Sequence, residues 1–542
     1  MAIGRRNFTN CNQVCSSVVL AMVLFAAIFF SLPVSAEPLE NVLPAFPGAV
    51  GQGAVATGGR GGDVYRVTNL LDYDSKKDQP KIPGSFRHAI RSTQGARTIV
   101  FDVGGAIELA GPLEILKSNL TIAGQTSPGG ITLWGYPVDI SRGSDIIIRF
   151  LRIRTGDFNA RTFQTVGSPS VRKEGKGNND LDGGSANASS IGHGCNRVII
   201  DHSSFSWSID ETLSVTNCRD VTVQHCIIAE SLNDSFHPKG LHGYGSLIRG
   251  LLIPEDQEAA TGGYTFFGNL WAHHRARNPS IAGEQFLKLG RPESERRRTD
   301  VNLINNVVYN WKDQPTHRSS LGQVRVNLIG NYYINGPSKR SKHIFNESDP
   351  NHTSVYQRNN YHDRNQNHIH DGEPIESPSQ IEQAFRGFDE ADVLMSGESG
   401  QPFGFLGSLE RHILPADKGY QRVVRTAGAS LNRDAVDQRV IESLVHRSGA
   451  VIDSQEEFRR ADGTLPGIDD RPSKRRPSDF DTDSDGMSNE FEVAHGLDPS
   501  DPEDRNGTGL SPLGYTNLEV YLNSLVTGPV EQSSMRHQPQ TR

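Results

Sequence analysis

The chain has 542 residues, a formal net charge of −8, a hydrophobic fraction of 35% and 55 glycines. Its length allows one large domain with an appendage, or several ordinary domains. The acidic balance argues against nucleic acid as a partner, and the many glycines favour a fold with many tight turns over a bundle of helices.

The N-terminus has the pattern of an export signal. Arg5 and Arg6 form a short basic start, an apolar run follows at 18–32, and small residues occupy 34–36. The apolar run is short for a bilayer span, although a retained anchor is the alternative. We expect residues 1–36 to be removed near Ala36, giving a secreted, periplasmic or cell-surface protein without a stable membrane anchor. The paired arginines leave the export route open.

Strand-like runs rich in Val, Ile and Leu recur along the middle of the chain. Two of them, 195–203 and 218–226, lie 23 residues apart with their first cysteines, valines and histidines in step. A fixed short period indicates a solenoid, and short strands with glycine-rich turns favour a parallel β-helix over the alternative, a β-sandwich. The runs are 119–123, 145–153, 197–205, 220–228, 264–271, 301–309, 324–334 and 354–361.

Two side-chain ladders follow from this repeat. Asparagines near the strand ends are expected to stack and to satisfy buried backbone groups. Cys195 and Cys218 are expected on successive coils, about 4.8 Å apart. That separation permits a disulfide, but reduced packing of two parallel thiols is favoured. The asparagines are Asn269, Asn305, Asn306, Asn331, Asn359 and Asn360.

Three stretches carry candidate chemistry. Asp210 and Glu211 follow a strand, and a carboxylate pair there suits a hard cation, although a solvated acidic turn is the alternative. Lys239 lies in a glycine-rich loop with histidines and suits an anionic ligand, although an ordinary surface lysine is the alternative. Arg275 and Arg277 alternate after a strand and so project to one side, as a carboxylate clamp or as charges that protect an edge.

Four motifs in order resemble polysaccharide lyase family 1, the pectate lyases. They are A-F-P-G-A with T-G-G-R-G-G, I-D-H-S-S-F-S-W-S-I-D-E-T-L-S, H-P-K-G-L-H-G-Y-G and H-H-R-A-R-N-P, and the resemblance covers residues 45–370. It implies an all-β, right-handed, single-stranded parallel β-helix over 37–453. It also implies cleavage of anionic polygalacturonate by β-elimination, with calcium bridging enzyme and substrate carboxylates.

The resemblance also implies roles for individual residues. Arg277 matches the base that takes the C5 proton, and Lys239 matches the lysine that neutralises the substrate carboxylate. His242 and Tyr244 of the same loop are assigned to substrate binding. Asp210 matches an acidic calcium ligand, and Glu211 stands beside it.

This chain departs from the family pattern at three positions. Ser214 stands where a second carboxylate is common, and the segment at Asn187 lacks a usual aspartate, so Asp180 and Asp182 are the candidates to supply calcium ligands. Ser280 replaces a common arginine, and Arg275 is the candidate to compensate in substrate binding.

The C-terminal part carries a second calcium motif. Residues 454–477 are charged and contain prolines, which predicts a linker. Residues 478–526 are predicted to form a small helical module, with a degenerate second loop near 514–519, and 527–542 a disordered tail. The module resembles dockerin-like or thrombospondin-type-3-like calcium repeats. Its first loop has EF-hand spacing, with predicted ligands Asp481, Asp483, Asp485, the Met487 carbonyl, Asn489 and Glu492.

Three functions remain open from the sequence. The first is a secreted, monomeric, calcium-dependent pectate lyase that yields 4,5-unsaturated oligogalacturonides. The second is a β-helix pectin hydrolase, which requires two carboxyls flanking one bond, an arrangement that the adjacent pair Asp210-Glu211 fits poorly. The third is a non-catalytic, calcium-dependent glycan-binding solenoid, which the serines at 214 and 280 leave possible.

Overall fold

The computed structural model describes residues 42–165, 170–250, 263–283, 298–319, 322–339, 341–347, 353–388, 393–396 and 400–526. The predicted export signal and the predicted C-terminal tail lie outside these residues. Within the described ranges, no helix combines the length and apolar character needed to cross a membrane.

Three parallel sheets wind around one apolar core, and successive coils add one strand to each sheet. Sheet 1 contains Asp63–Val67, Arg97–Phe101, Leu120–Ala123, Ser144–Arg149, Asn196–Asp201, Arg219–Gln224, Gly263–Phe267, Arg298–Ile304, Gln323–Ile329, Thr353–Arg358 and Val393–Ser396. Sheet 2 contains Val103–Glu108, Ile131–Trp134, Leu151–Arg154, Ser204–Ser206, Ile227–Ala229, Leu270–Ala272, Val307–Tyr309, Tyr332–Ile334 and Tyr361–Asp363, with antiparallel end strands Lys474–Arg475 and Glu373–Pro374. Sheet 3 contains Leu113–Ile115, Val138–Ser141, Ser189–Gly192, Leu213–Thr216, Leu247–Arg249, Ser280–Ala282, Thr316–Arg318, Phe345–Asn346 and Phe385–Arg386.

This architecture confirms the predicted all-β parallel β-helix. The 23-residue repeat is the coil itself, because Val198 pairs with Val221 and Ile200 with Val223 in a parallel ladder. Alternate residues of each strand point into the shared core, where Ile and Val of one coil pack on those of the next.

Most of the predicted strand-like runs are two strands joined at a corner. The run 145–153 is divided at Phe150, which has a left-handed backbone with φ 58°. His202, His225 and Asn305 adopt the same conformation at equivalent corners. Composition alone does not reveal this corner, because the residues on both sides are equally apolar.

The predicted asparagine ladder is confirmed at the corner between sheets 1 and 2 for Asn269, Asn306, Asn331 and Asn360. The backbone N–H of Asn269 donates to Asn306 Oδ1 at 2.9 Å, that of Asn306 to Asn331 Oδ1 at 2.9 Å, and that of Asn331 to Asn360 Oδ1 at 3.0 Å. Each amide thus satisfies a buried donor on the preceding coil, where no strand partner is available.

The predicted adjacency of two cysteines is also confirmed. Asn196 pairs with Arg219, and the Arg219 N–H donates to the Cys195 carbonyl at 2.9 Å, so Cys195 and Cys218 lie on neighbouring coils. Both thiols are free and fully buried. They pack as small apolar residues of the ladder.

Helices that we did not predict from the sequence cover the outer face of sheet 2. Tyr420 and Val423 of the helix Ala416–Thr426, with Val440 and Leu444 of Ala435–His446, pack on the aliphatic and aromatic residues of that face. The other α-helices are Phe86–Arg91, Pro378–Ala384, Asn489–His495 and Asn517–Ser524. Short 3₁₀ helices are Gln52–Val55, Ser75–Lys77, Gly124–Thr126, Gly183–Ser185, Gly404–His412, Ser430–Asn432, Gln455–Phe458 and Asp504–Asn506, and a small hairpin joins Phe163–Gln164 to Arg172–Lys173.

The stretch predicted as a linker is built into the body of the protein. Leu465 and Ile468 are buried in the main core, and Lys474–Arg475 pairs with Val103 and Gly104 of sheet 2. Two buried aliphatic side chains and a strand pairing hold this segment in place, so its charge and proline content do not make it a free linker.

Candidate active site

The candidate residues meet at the corner between sheets 2 and 3, in the turns 207–212, 230–246 and 273–279 of three successive coils. The backbone stacks these turns directly, since the Tyr244 N–H donates to the Asp210 carbonyl at 3.2 Å and the Gly245 N–H to the Ala276 carbonyl at 3.0 Å. Gly245 permits this approach, because a Cβ there would lie 2.5 Å from the Arg277 carbonyl oxygen. Residues far apart in sequence therefore share one site.

Arg277 is held between an anion and an aromatic ring. Its guanidinium contacts the carboxylate of Glu211, whose side chain is 6% exposed, and lies 4.1 Å from the Tyr244 ring centroid. The backbone of Arg277 is left-handed, with φ 62°. Burial lowers the pKa of Arg277, and the charge of Asp210 opposes that shift. The guanidinium is therefore fixed in position and partly desolvated.

Asp210 is held by two histidines. Its Oδ1 lies 2.6 Å from His242 Nε2 and 3.6 Å from His237 Nε2, and the two imidazoles stack with centroids 3.5 Å apart. His237 Nδ1 accepts the Lys239 N–H at 3.1 Å. The remaining proton of neutral His237 therefore sits on Nε2 and faces the carboxylate. The two imidazoles therefore hold the Asp210 carboxylate in position.

Lys239 lies on the rim of this site. Its side chain is exposed and follows His237 in the loop. Burial is the main cause that lowers the pKa of His237 to about 4, the neighbouring His242 adds to it, and the charge of Lys239 contributes a smaller part. The charge of Lys239 thus acts on the histidine beside Asp210, and its exposed side chain is accessible to an anion from solvent.

Asp180 and Asp182 are not brought into a metal-binding group with Asp210. Asp180 pairs with Lys77 Nζ at 2.7 Å and accepts the Tyr136 hydroxyl at 2.6 Å. Asp182 pairs with Arg161 at 2.9 Å and caps the turn at Gly184. Glu211, also predicted as a metal ligand, is engaged by Arg277. Cations of the protein pair with all three carboxylates, so their role as calcium ligands stays a prediction.

The guanidinium of Arg275 is engaged by neighbouring side chains. Its Nε lies 2.6 Å from Asp313 Oδ2, and its Nη1 donates to Asn233 Oδ1 at 3.2 Å. Ser280, which replaces an arginine of the family pattern, is buried and bonds the Ser319 hydroxyl at 2.7 Å. Sequence reasoning missed His237 as a partner of Asp210, although its place in the same loop as Lys239 and His242 was a signal.

The donor set at Asp210 tests whether a resident calcium fits this corner. Among the described residues, the only group here able to hold a metal is Asp210 with His237 and His242. Calcium takes six to eight oxygen ligands, and imidazole nitrogens suit it poorly. The protein alone therefore does not form a calcium site here, and an ion needs oxygens from another source.

The C-terminal loop has a different donor set. Asp481, Asp483 and Asp485 converge, and Asp485 also groups with Glu492 and Asp504. Burial raises the pKa of Asp481 to about 6, of Asp485 to about 7 and of Glu492 to about 8. An all-carboxylate set with desolvated anions fits calcium.

The side chain of one predicted ligand of this loop, Asn489, is engaged in hydrogen bonds of the loop itself. Asn489 Oδ1 accepts the Thr482 N–H at 2.9 Å, and Asn489 Nδ2 donates to the Asp479 carbonyl at 2.9 Å. Both ends of the amide are thus used to fold the loop. Asp504, from outside the EF-hand spacing, faces the carboxylates instead.

Comparison with known proteins assigns the family. No protein-family model matches the chain. The chain is 34% identical over 512 residues to the "Probable pectate lyase C" of Aspergillus fumigatus, covering 93% of this chain and 99% of that protein. It is 33% identical over 491 residues to that of Emericella nidulans, covering 90% and 94%. The fold and these relatives define a polysaccharide lyase. In particular, the chain belongs to the pectate lyase family.

Solved structures resemble the chain more weakly. The cedar-pollen allergen jun a 1 is 15% identical, covers 70% of this chain and 92% of its own, and has a TM-score of 0.46. The thermostable pectate lyase PL 47 is 13% identical, covers 72% and 98%, and has a TM-score of 0.45. At these TM-scores, the resemblance adds nothing to the assignment.

Proposed function

We propose that this protein is a secreted pectate lyase that cleaves polygalacturonate by calcium-assisted β-elimination and releases 4,5-unsaturated oligogalacturonides. The observation that carries the proposal is Arg277, a desolvated arginine fixed by Glu211 and Tyr244 beside Asp210. The relatives described above are named probable pectate lyases, and this chain spans nearly their full length.

The residues divide the reaction between them. The C5 proton of a galacturonate is weakly acidic, because its loss places charge on the adjacent carboxylate. Lys239 on the rim is positioned to neutralise that carboxylate as charge develops. Arg277, in its neutral form, takes the C5 proton. The electron pair forms the C4=C5 bond as the C4–O bond breaks, and the departing oxygen takes a proton from water.

Calcium enters this proposal as an ion shared with the substrate. Among the described residues of this corner, Asp210 is a carboxylate that no arginine or lysine pairs with, and His237 and His242 hold it in position. The other oxygens would come from galacturonate carboxylates and water, and the bound ion supplies further neutralisation of the uronate charge. Such a site forms only when the anionic polymer is present.

Two parts of the proposal lie outside the corner. The sequence pattern of residues 1–36 supports secretion. We propose that the secreted protein is a monomer without a membrane anchor that acts on an extracellular polymer. Residues 478–526 are proposed to form an EF-hand-like calcium module, supported by the convergent carboxylates of its loop.

One assay separates the candidate functions. The full chain is incubated with polygalacturonate and calcium while the ultraviolet absorbance of a conjugated C4=C5 bond is followed. A lyase produces this band, and Arg277→Lys abolishes it. A hydrolase produces reducing ends without the band, and a glycan-binding protein produces neither.

A further inference from the structure

The calcium loop has no free side chain at its ninth position. Asn489, at the ninth position, is bonded to Thr482 and to the Asp479 carbonyl, so its side chain is unavailable to an ion. The helix Asn489–His495 that follows carries Glu492. A calcium ion in this loop therefore receives no direct side-chain oxygen from the ninth position, where the usual EF-hand set often places a water.

Asp504 brings a further carboxylate to the loop from outside it. Its Oδ2 accepts the Asp498 N–H at 3.0 Å, which fixes the carboxylate, and it groups with Asp485 and Glu492. Asp504 is twelve residues beyond Glu492 in the sequence, so EF-hand spacing does not include it.

The unpartnered oxygens of this cluster point to a ligand. Asp481, Asp483, Asp485 and Asp504 each use one carboxylate oxygen to accept a backbone N–H. Each leaves its other oxygen buried without a hydrogen-bond partner, and Glu492 leaves both. Glu492 is 0% exposed. Unpaired buried carboxylates are costly, and six free oxygens equal the lower coordination number of calcium.

We propose that residues 481–504 bind one structural calcium ion, with Asp504 supplying the ligand that Asn489 does not, and that this ion holds the module onto the first coils of the β-helix. The inference rests on the calcium module proposed above and is independent of the lyase activity.

The back of the same loop is attached to sheet 1. Arg66 donates to the Asp481 carbonyl at 3.0 Å and to Ser484 Oγ at 2.8 Å, and its Nε lies 3.7 Å from Asp481 Oδ2. Met487 and Phe491 pack with Leu518 against Val100 and Ala123 of sheet 1. The conformation of the loop therefore affects its contact with the β-helix. The mutual repulsion of the five carboxylates opposes this conformation until a cation binds.

Calcium titration of the full chain tests the ligand assignment. In an Asp210→Ala background, which removes the acidic ligand at the active-site corner, we expect one ion bound per chain. Asp504→Asn should raise the dissociation constant at least tenfold, and Glu492→Gln at least as much. Asp501→Asn is the matched control, because Asp501 is exposed on the same segment and accepts only a local N–H, from Glu503. Binding by Asp504→Asn that equals binding by Asp501→Asn would overturn the assignment.

Thermal unfolding tests the attachment. In calcium, the chain with Asp504 intact should unfold in one transition, several degrees above its midpoint in chelator. Asp504→Asn should keep its elimination rate at 25 °C but lose the shift. No shift in the wild-type chain would overturn the structural role. Absence of elimination activity would leave both results intact and would contradict only the lyase proposal.

Discussion

The guanidinium of Arg277 contacts the buried carboxylate of Glu211, although 66 residues separate them in the chain. Two stacked backbone bridges, from Glu211 to Tyr244 and from Tyr244 to Ala276, bring the two turns together. Glu211 therefore fixes the orientation of the proposed base, and it also favours the charged form that cannot accept a proton.

Replacing Glu211 by glutamine should separate these two effects. The amide keeps a hydrogen-bond acceptor for Arg277 but removes the anion, so the pKa of Arg277 falls. The rate should rise with pH as Arg277 loses its proton. We expect this rising limb of the pH–rate profile to move to lower pH by about one unit. The measurement is kcat/KM on polygalacturonate between roughly pH 6 and 11, which covers the usual histidine and tyrosine pKa ranges. An unshifted profile, with activity intact, would remove Arg277 as the titrating base.

Lys239→Ala should cost transition-state stabilisation. Loss of one charge-neutralising donor lowers kcat by about 10²- to 10³-fold. Added calcium should not restore the rate, because the ion and the ammonium meet different oxygens. The matched control is Lys173→Ala, whose ammonium pairs with Asp234 and lies outside the Asp210 cluster. Full recovery at high calcium would reduce Lys239 to a general electrostatic role.

Asp210→Asn should lower the apparent affinity for calcium in the elimination reaction without destabilising the fold. The amide retains a neutral oxygen, so we expect the calcium concentration for half-maximal rate to rise about tenfold or more, consistent with losing a ligand charge. The measurement is initial rate against calcium at fixed substrate, with Asp504→Asn as the variant altered only at the distant calcium loop. A wild-type rate indifferent to chelator would contradict calcium assistance altogether.

Buried histidines should make the fold sensitive to mild acid. Burial, as the largest cause, lowers the pKa of His225 and His274 to about 3 and that of His273 to about 4. The unfolded chain protonates these groups below about pH 6.5, whereas the folded chain resists until about pH 4 or lower. Stability is therefore full above pH 6.5 and is lost as the pH falls towards 4.

Each such group contributes a slope of up to about 1.4 kcal/mol per pH unit in that window. Urea unfolding of the wild type and of His274→Gln at several pH values, in saturating calcium, measures it. The variant should be less stable at neutral pH but should show the shallower pH dependence. Equal slopes would mean that His274 does not titrate in this way.

The sequence by itself determined the features that depend on neighbours along the chain or on the next coil. Alternating apolar residues and the 23-residue register of Cys195 and Cys218 indicated the parallel coil, because stacking repeats each position at the strand spacing. Asn306 and Asn331 were predicted to stack for the same reason. Asp481, Asp483 and Asp485 were recognisable because their spacing matches the EF-hand pattern.

Only the tertiary structure decided which side chains meet across the turns. The turns 207–212, 230–246 and 273–279 differ in length, so no sequence period relates Glu211 to Arg277 or Asp210 to His237. The same holds for Asp504, because the fold of residues 493–503 places it beside the calcium loop. Contacts of this kind arise where loops of unequal length are folded onto a regular coil, and their geometry depends on the packing beneath them.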